Sequence, residues 1–307
     1  MFWNVLEKMI PLCICMAFGY IARKLKILDD KLSSGLSTLL LQMILPCLVF
    51  ASMQREFSAE LFEDGMLLLL VSFLLHGVGY VFAVVLCRLV RVPKKQRPVW
   101  YFMMIFPNVA YMGLPVLEAV LGSESLFFGA MNNISFNTVL FSFGSGIISG
   151  KREKPRLRQF VNPTLIATAL GFLCFVASVR IYSPLMDGLK LIGGMTTPVS
   201  MIIIGGLLAK GGFIGIFKDY RLLAASAARL LVFPVIVFFV LRIFMNPEQT
   251  AVLTLLMAMP AAAVTAIFAE RYDGDTQTAS VMVFVTTLLC VLTLPLISMM
   301  MDMFQKA

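Results

Sequence analysis

Apolar residues run along this chain in blocks of roughly twenty, and most of its charged residues collect in the short gaps between the blocks. A helix needs about 20 predominantly apolar residues to cross the hydrocarbon core of a bilayer, so each block predicts one span. The gaps place ten, near residues 4–22, 33–53, 66–90, 99–121, 125–148, 162–180, 188–208, 221–243, 248–270 and 276–301. The first block runs to about Ala22 and ends in RKLKILDDK with no small-residue cleavage site, so it reads as a span rather than a removed signal. Composition agrees: 60% of residues are hydrophobic, 14% are charged, and the mean hydropathy is +0.91, against about 25% charged in an average soluble domain. The expected fold class is an all-α polytopic membrane protein.

Charge sets the orientation. Arg23, Lys24, Lys26 and Lys31 follow span 1, Arg88, Arg91, Lys94, Lys95 and Arg97 follow span 3, and Lys151, Arg152, Lys154, Arg156 and Arg158 follow span 5. Lys210, Lys218 and Arg221 follow span 7, and Arg271 follows span 9. The opposite face holds only Lys8, Arg55, Arg180, Lys190, Arg242 and Lys306. Cytoplasmic loops carry the excess of Lys and Arg, so both termini are expected outside, in a multi-pass protein of the plasma or inner cell membrane. The net charge of +8 follows from this bias and from contact with anionic lipid, with no need for nucleic acid.

Three proline pairs recur at nearly one offset: Pro11 with Pro163 and Pro46 with Pro198 at 152 residues, and Pro107 with Pro260 at 153. The chain therefore reads as a first five-helix repeat (1–150), a basic cytoplasmic loop (151–161) and a second five-helix repeat (162–307). A unit with an odd number of spans reinserts upside down, and the Lys/Arg bias of each loop does reverse in its counterpart. Inverted repeats with interrupted spans in matching places point to a secondary transporter with its site near the midplane.

The interruptions are FPNVAYMGLPV at 106–116 and MAMPAAAV around Pro260. Pro107 and Pro115 each remove a backbone donor, and Gly113 loosens the turn between them, so span 4 is expected to unwind there. Unwound backbone at that depth is tolerated only against protein or a wet cavity, where helix N-termini attract an anion and freed carbonyls a cation. Asn108 follows the breaker and can bind a carboxylate or cap the next half-helix. Tyr111 can close the site or pack between helices. Asn133 and Asn137 share one face of span 5, with Asn132 turned elsewhere, and serve either binding or helix-to-helix hydrogen bonding. Arg229, well inside span 8, reads as structural. His76, 153 residues earlier, reads as packed between helices with proton coupling open, and Glu270 beside Arg271 reads as solvated or interfacial.

These residues resemble the auxin efflux carrier family, which includes plant PIN carriers and bacterial malonate and malate permeases. Pro107, Asn108, Met112, Gly113 and Pro115 resemble its Pro-Asn, three residues, Met-Gly, one residue, Pro pattern. Ala258, Met259, Pro260, Phe268, Ala269 and Tyr272 are similar to its second crossover helix, and TTLLCVLTLPL (286–296) to its last span. The resemblance implies a ten-helix inverted repeat with broken crossover helices 4 and 9, divided into a scaffold and a transport domain that moves as an elevator around an organic carboxylate. Ala261 and Ala262 stand where plant members tend to have Gln-Gly, and the central loop is short, which favours a small mono- or dicarboxylate such as malonate or malate over auxin.

The expected substrate-binding residues are thus Pro107, Asn108, Tyr111, Met112, Gly113, Pro115, Asn133, Asn137, Pro260 and Ala261. No cofactor and no metal site is expected: Cys13, Cys15, Cys47, Cys87, Cys174 and Cys290 form no CxxC pair and read as buried thiols. An enzyme is not expected either, because the spans hold no aspartate pair, no HExxH and no serine with a base. The expected partners are a small organic anion and membrane lipid, with H+ or Na+ coupling and a homodimer left open. The alternatives are an exporter of auxin-like aromatic carboxylates and an anion channel of the same fold.

Overall fold

The computed structural model describes residues 2–150, 162–209 and 220–305. The basic loop 151–161 and the loop and terminal lysines Lys210, Lys218 and Lys306 lie outside the described residues. Among those described the chain is helical throughout, with no strand beyond one isolated bridge. Sixteen α-helices follow in order: α1 (Phe2–Lys24), α2 (Asp30–Leu39), α3 (Leu45–Ser52), α4 (Ala59–Leu89), α5 (Arg97–Ile105), α6 (Leu114–Leu121), α7 (Ser125–Val139), α8 (Ser145–Ser149), α9 (Pro163–Val176), α10 (Ser183–Gly194), α11 (Thr196–Ala209), α12 (Tyr220–Ala227), α13 (Phe233–Leu241), α14 (Pro247–Met257), α15 (Val264–Arg271) and α16 (Thr276–Gln305). Among the described residues, five stretches are long and apolar enough to cross a membrane: Asp30–Ser52, Ala59–Leu89, Ser183–Ala209, Tyr220–Leu241 and Thr276–Phe304. Shorter apolar helices, among them Val109–Leu121 and Pro163–Val176, lie beside them. The protein is a multi-pass membrane protein.

Among the described residues, four π-helical turns interrupt the helices: Leu40–Ile44, Val109–Gly113, Leu140–Gly144 and Ala228–Val232. In three of them the helix resumes at once with a proline as its second residue, Pro46, Pro115 or Pro234. A proline ring clashes with the carbonyl four residues earlier and donates nothing to it. A π turn widens the helix at that level, so the chain keeps its direction without the missing bond. This corrects one expectation. Gly113 and Pro115 remain in helix, joined by a bond from Gly113 N to Asn108 O at 2.8 Å, and span 4 leaves helical geometry only at Phe106–Asn108.

The helices pack in two groups. In one, α1 lies along α11, and α3 packs on α9 and α10; in the other, α4 packs on α5 and α7, α13 on α14, and α15 on α16. Glycines allow the first group to close. A Cβ on Gly19 would overlap the carbonyl of Ile202, and one on Gly205 the carbonyl of Met16, so α1 and α11 meet backbone to backbone, as membrane helices with small interface residues do. Gly205→Ala should therefore cost about 1–3 kcal/mol from overpacking, read as a lower thermal midpoint in detergent. Gly77→Ala, with open space at its Cβ, should not. On α4, Leu70, Leu74 and Val81 are exposed while Leu68, Ser72, His76 and Ala83 are buried, so one face meets lipid and the other the second group.

Candidate functional site

Helix α5 stops at Ile105 because Phe106 precedes a proline, and the ring of Pro107 pushes its neighbour out of the α region. Phe106 accordingly sits at φ −110°, ψ 98°. Helix α14 ends at Met257, two residues before the Met259–Pro260 junction. The two extended segments then pair with each other: Asn108 N donates to Pro260 O at 2.9 Å and Ala262 N to Phe106 O at 3.1 Å, around an antiparallel bridge between Pro107 and Ala261. Neither proline would use an N–H in this pairing, which explains why both are tolerated there. Behind it, the Thr286 hydroxyl accepts from Ala261 N at 3.1 Å and donates to Met282 O at 2.6 Å. The backbone groups freed by the breaks are thus largely satisfied within the crossing.

In front of the pairing lies a cavity of about 280 Å³. Pro107, Asn108, Tyr111, Asn133, Asn137 and residues 262–264 line it from one helix group, and Leu41, Gln42, Leu45, Asn162, Pro163 and Thr164 from the other. Among the described residues its lining includes no Lys, Arg, His, Asp or Glu. The N-terminal end of α15 opens onto it at Ala263 and Val264 without a side-chain cap, leaving first-turn N–H groups that have no intrahelical partner.

The amides in this cavity are oriented by backbone donors. Asn162 caps α9, its Oδ1 accepting from Thr164 N at 2.9 Å and Leu165 N at 3.1 Å. A backbone N–H can only donate, so Asn162 must turn its Nδ2 outward, and it donates to Asn137 Oδ1 at 3.2 Å. Asn137 Nδ2 in turn donates to the backbone O and the Oδ1 of Asn133, at 2.8 and 2.9 Å. The relay ends at Asn133 Nδ2, which has no acceptor among the described residues. Asn108 is fixed the same way: its Oδ1 accepts from Tyr111 N at 3.3 Å, which leaves its Nδ2 without an acceptor among the described residues. The relay fixes which end of each amide is turned outward, so Asn108 and Asn133 each present an unused Nδ2 donor among the described residues.

Of the residues expected from sequence, Pro107, Asn108, Tyr111, Asn133 and Asn137 line the cavity. Met112, Gly113 and Pro115 are buried in the helix behind it, where a Cβ on Gly113 would press on Leu256 at 2.9 Å. Pro260 and Ala261 lie in the paired segment, outside the lining. Asn132 is fully buried away from the lining. Sequence reasoning missed Gln42, Asn162 and Thr164. The usable signals were a lone amide inside an apolar block and the helix-start pattern Asn-Pro-Thr. His76 is packed as expected, its Nδ1 2.6 Å from Ser72 O and its ring against Phe106 and Phe136. Glu270 is exposed, and Arg271 lies over the ring of Tyr272.

A family model described as "Membrane transport protein" matches residues 4–149 and 151–298. An uncharacterized transporter of Methanocaldococcus jannaschii is 23% identical over 293 residues, covering 92% of this chain and 94% of the relative. An uncharacterized transporter of Methanothermobacter thermautotrophicus is 24% identical over 308 residues, covering 98% and 99%.

Proposed function

We propose, from the premise that this chain belongs to the membrane transport protein family that includes the auxin efflux carriers, that it is a secondary carrier for a small organic anion, bound in the cavity at the paired breaks. The observation that carries this reading is the direction of the amide relay. An amide hydrogen bond to a charged group contributes about 1.5–3 kcal/mol, and a partly buried helix N-terminus up to about 2 kcal/mol. Such a site favours a carboxylate and still holds it weakly enough to release. A cation would meet the outward N–H groups of Asn108, Asn133 and the start of α15.

The architecture we infer is ten spans in two inverted repeats, 1–150 and 162–307, with both termini extracytoplasmic. The group built on α1, α3, α9, α10 and α11 serves as scaffold, and the group carrying the paired breaks moves as an elevator. The charge bias and the proline offsets support this reading. Cysteines introduced at 94–97 and 151–158 should be labelled only from the cytoplasmic side, and labelling of either loop from outside would refute the topology.

Malonate or malate is the substrate class we favour. One observation supports a second reading: Leu41, Leu45, Tyr111, Phe136, Leu140 and Phe141 make most of the wall apolar, which suits an aromatic carboxylate of the auxin type. Uptake of labelled malonate, malate and indole-acetate into liposomes, with and without pH and sodium gradients, separates the two. Saturable uptake accelerated by substrate on the opposite side is expected. Flux that never saturates would instead favour a channel, and no flux of any anion would sink the proposal.

A further inference from the structure

Arg229 is fully buried in the π turn Ala228–Val232, and no carboxylate lies within ion-pair distance of it among the described residues. An unpaired buried cation is costly, so its partners matter. Nε donates to Met259 O at 3.1 Å and Nη1 to Met104 O at 2.9 Å. One carbonyl lies in the last turn of α5, three residues before Pro107, and the other just past the end of α14, immediately before Pro260. The last carbonyls of a helix have no intrahelical donor and carry about half a negative charge together. Two such ends sum to about one negative charge, which one guanidinium balances. The planar fork of an arginine can reach two separate carbonyls while staying charged.

The half-helices that leave the same crossing start at Asn108 and Ala263, on the cavity. Their positive ends face the proposed anion, while the negative ends of α5 and α14 point at Arg229. We infer that Arg229 is a positioning residue for the anion site: it neutralises both negative helix ends and ties them together, so that the positive ends at the cavity act uncompensated. The inference rests on the proposed anion carrier. The other titratable groups around Arg229 are His76 of α4 and Cys290 of α16. His76 Nδ1 lies 2.6 Å from Ser72 O while its buried Nε2 has no partner among the described residues, and Cys290 Sγ lies 3.6 Å from Ala258 O.

The test is equilibrium binding of malonate, malate and indole-acetate to purified wild type, Arg229→Gln and Arg229→Lys. Arg229→Gln should bind at least about tenfold more weakly, equivalent to about 1.4 kcal/mol. Arg229→Lys keeps the charge but places it on a group that loses its proton more readily when buried. Relative to wild type it should bind nearly normally at about pH 6 and progressively less well toward about pH 9, a signature that a packing defect does not produce. If Arg229→Gln fails to fold, the pH profile of Arg229→Lys decides alone. Equal affinity in wild type and Arg229→Gln, or an Arg229→Lys to wild-type ratio flat with pH, overturns the inference and leaves the anion carrier standing. Wild type that binds none of the anions overturns both.

Discussion

Asn133→Asp is expected to weaken anion binding at neutral pH by about a hundredfold or more while the protein stays folded. The substitution is nearly isosteric, and Asn137 Nδ2 can donate to an aspartate oxygen as it now does to Asn133 Oδ1 at 2.9 Å. What changes is the atom at the cavity wall: a donor becomes a charged acceptor. Losing the amide bond to a charged group costs about 1.5–3 kcal/mol, and two like charges about 4 Å apart repel by about 4 kcal/mol at an effective dielectric constant of 20. Either contribution is worth a decade or more. Asn133→Leu removes the donor without adding a charge, together with the oxygen that accepts from Asn137 Nδ2, and should cost about tenfold. The aspartate escapes repulsion by taking up a proton, so affinity in Asn133→Asp should recover as pH falls. Equilibrium binding of malonate, malate and indole-acetate as a function of pH checks all three statements. If the aspartate variant binds these anions as well as wild type, the relay does not face the substrate.

The parts of this arrangement that were legible in the sequence depend on local chemistry. Charged gaps delimit apolar blocks, and a proline removes a donor and disfavours helix at the residue before it, so the breaks at Phe106–Asn108 and at Pro260 could be anticipated from Pro107 and Pro260, although Pro11 and Pro295 stay inside α1 and α16. The extent of unwinding could not. Pro115 looked like a second breaker, yet the Val109–Gly113 π turn accommodates its ring, and a π turn has no fixed sequence signature: the one at Leu140–Gly144 is followed by no proline. The far wall of the cavity was equally hidden. Gln42 and Asn162 reach it from helices remote in sequence, and the asparagine that fixes the polarity of Asn133 is a helix cap 29 residues away whose partner only the packing of α7 against α9 reveals. Arg229 was read as structural from its depth alone. Which groups it serves depends on two carbonyls, Met104 and Met259, that no side-chain pattern marks.

Replacing both breakers, Pro107→Ala with Pro260→Ala, should abolish transport while leaving insertion into the membrane intact. In the native chain the two extended segments exchange two backbone hydrogen bonds, at 2.9 and 3.1 Å, each contributing about 0.5–1.5 kcal/mol net. An alanine in place of proline favours helix by about 3 kcal/mol at each site, so the gain of about 6 kcal/mol from continuous helices exceeds the roughly 1–3 kcal/mol held in the pairing. Continuing α5 into the Val109 turn and α14 into α15 would then join the helix ends that Arg229 and the cavity now use separately. The free N–H groups at Ala263 and Val264 would become ordinary intrahelical donors, and Asn108 would lose its capping geometry. A single substitution leaves one break in place and should reduce transport only in part. Membrane-fraction yield and thermal midpoint report insertion, and liposome uptake of malonate, malate and indole-acetate reports transport. Wild-type uptake in the double variant would show that the breaks are dispensable and that the substrate is held elsewhere.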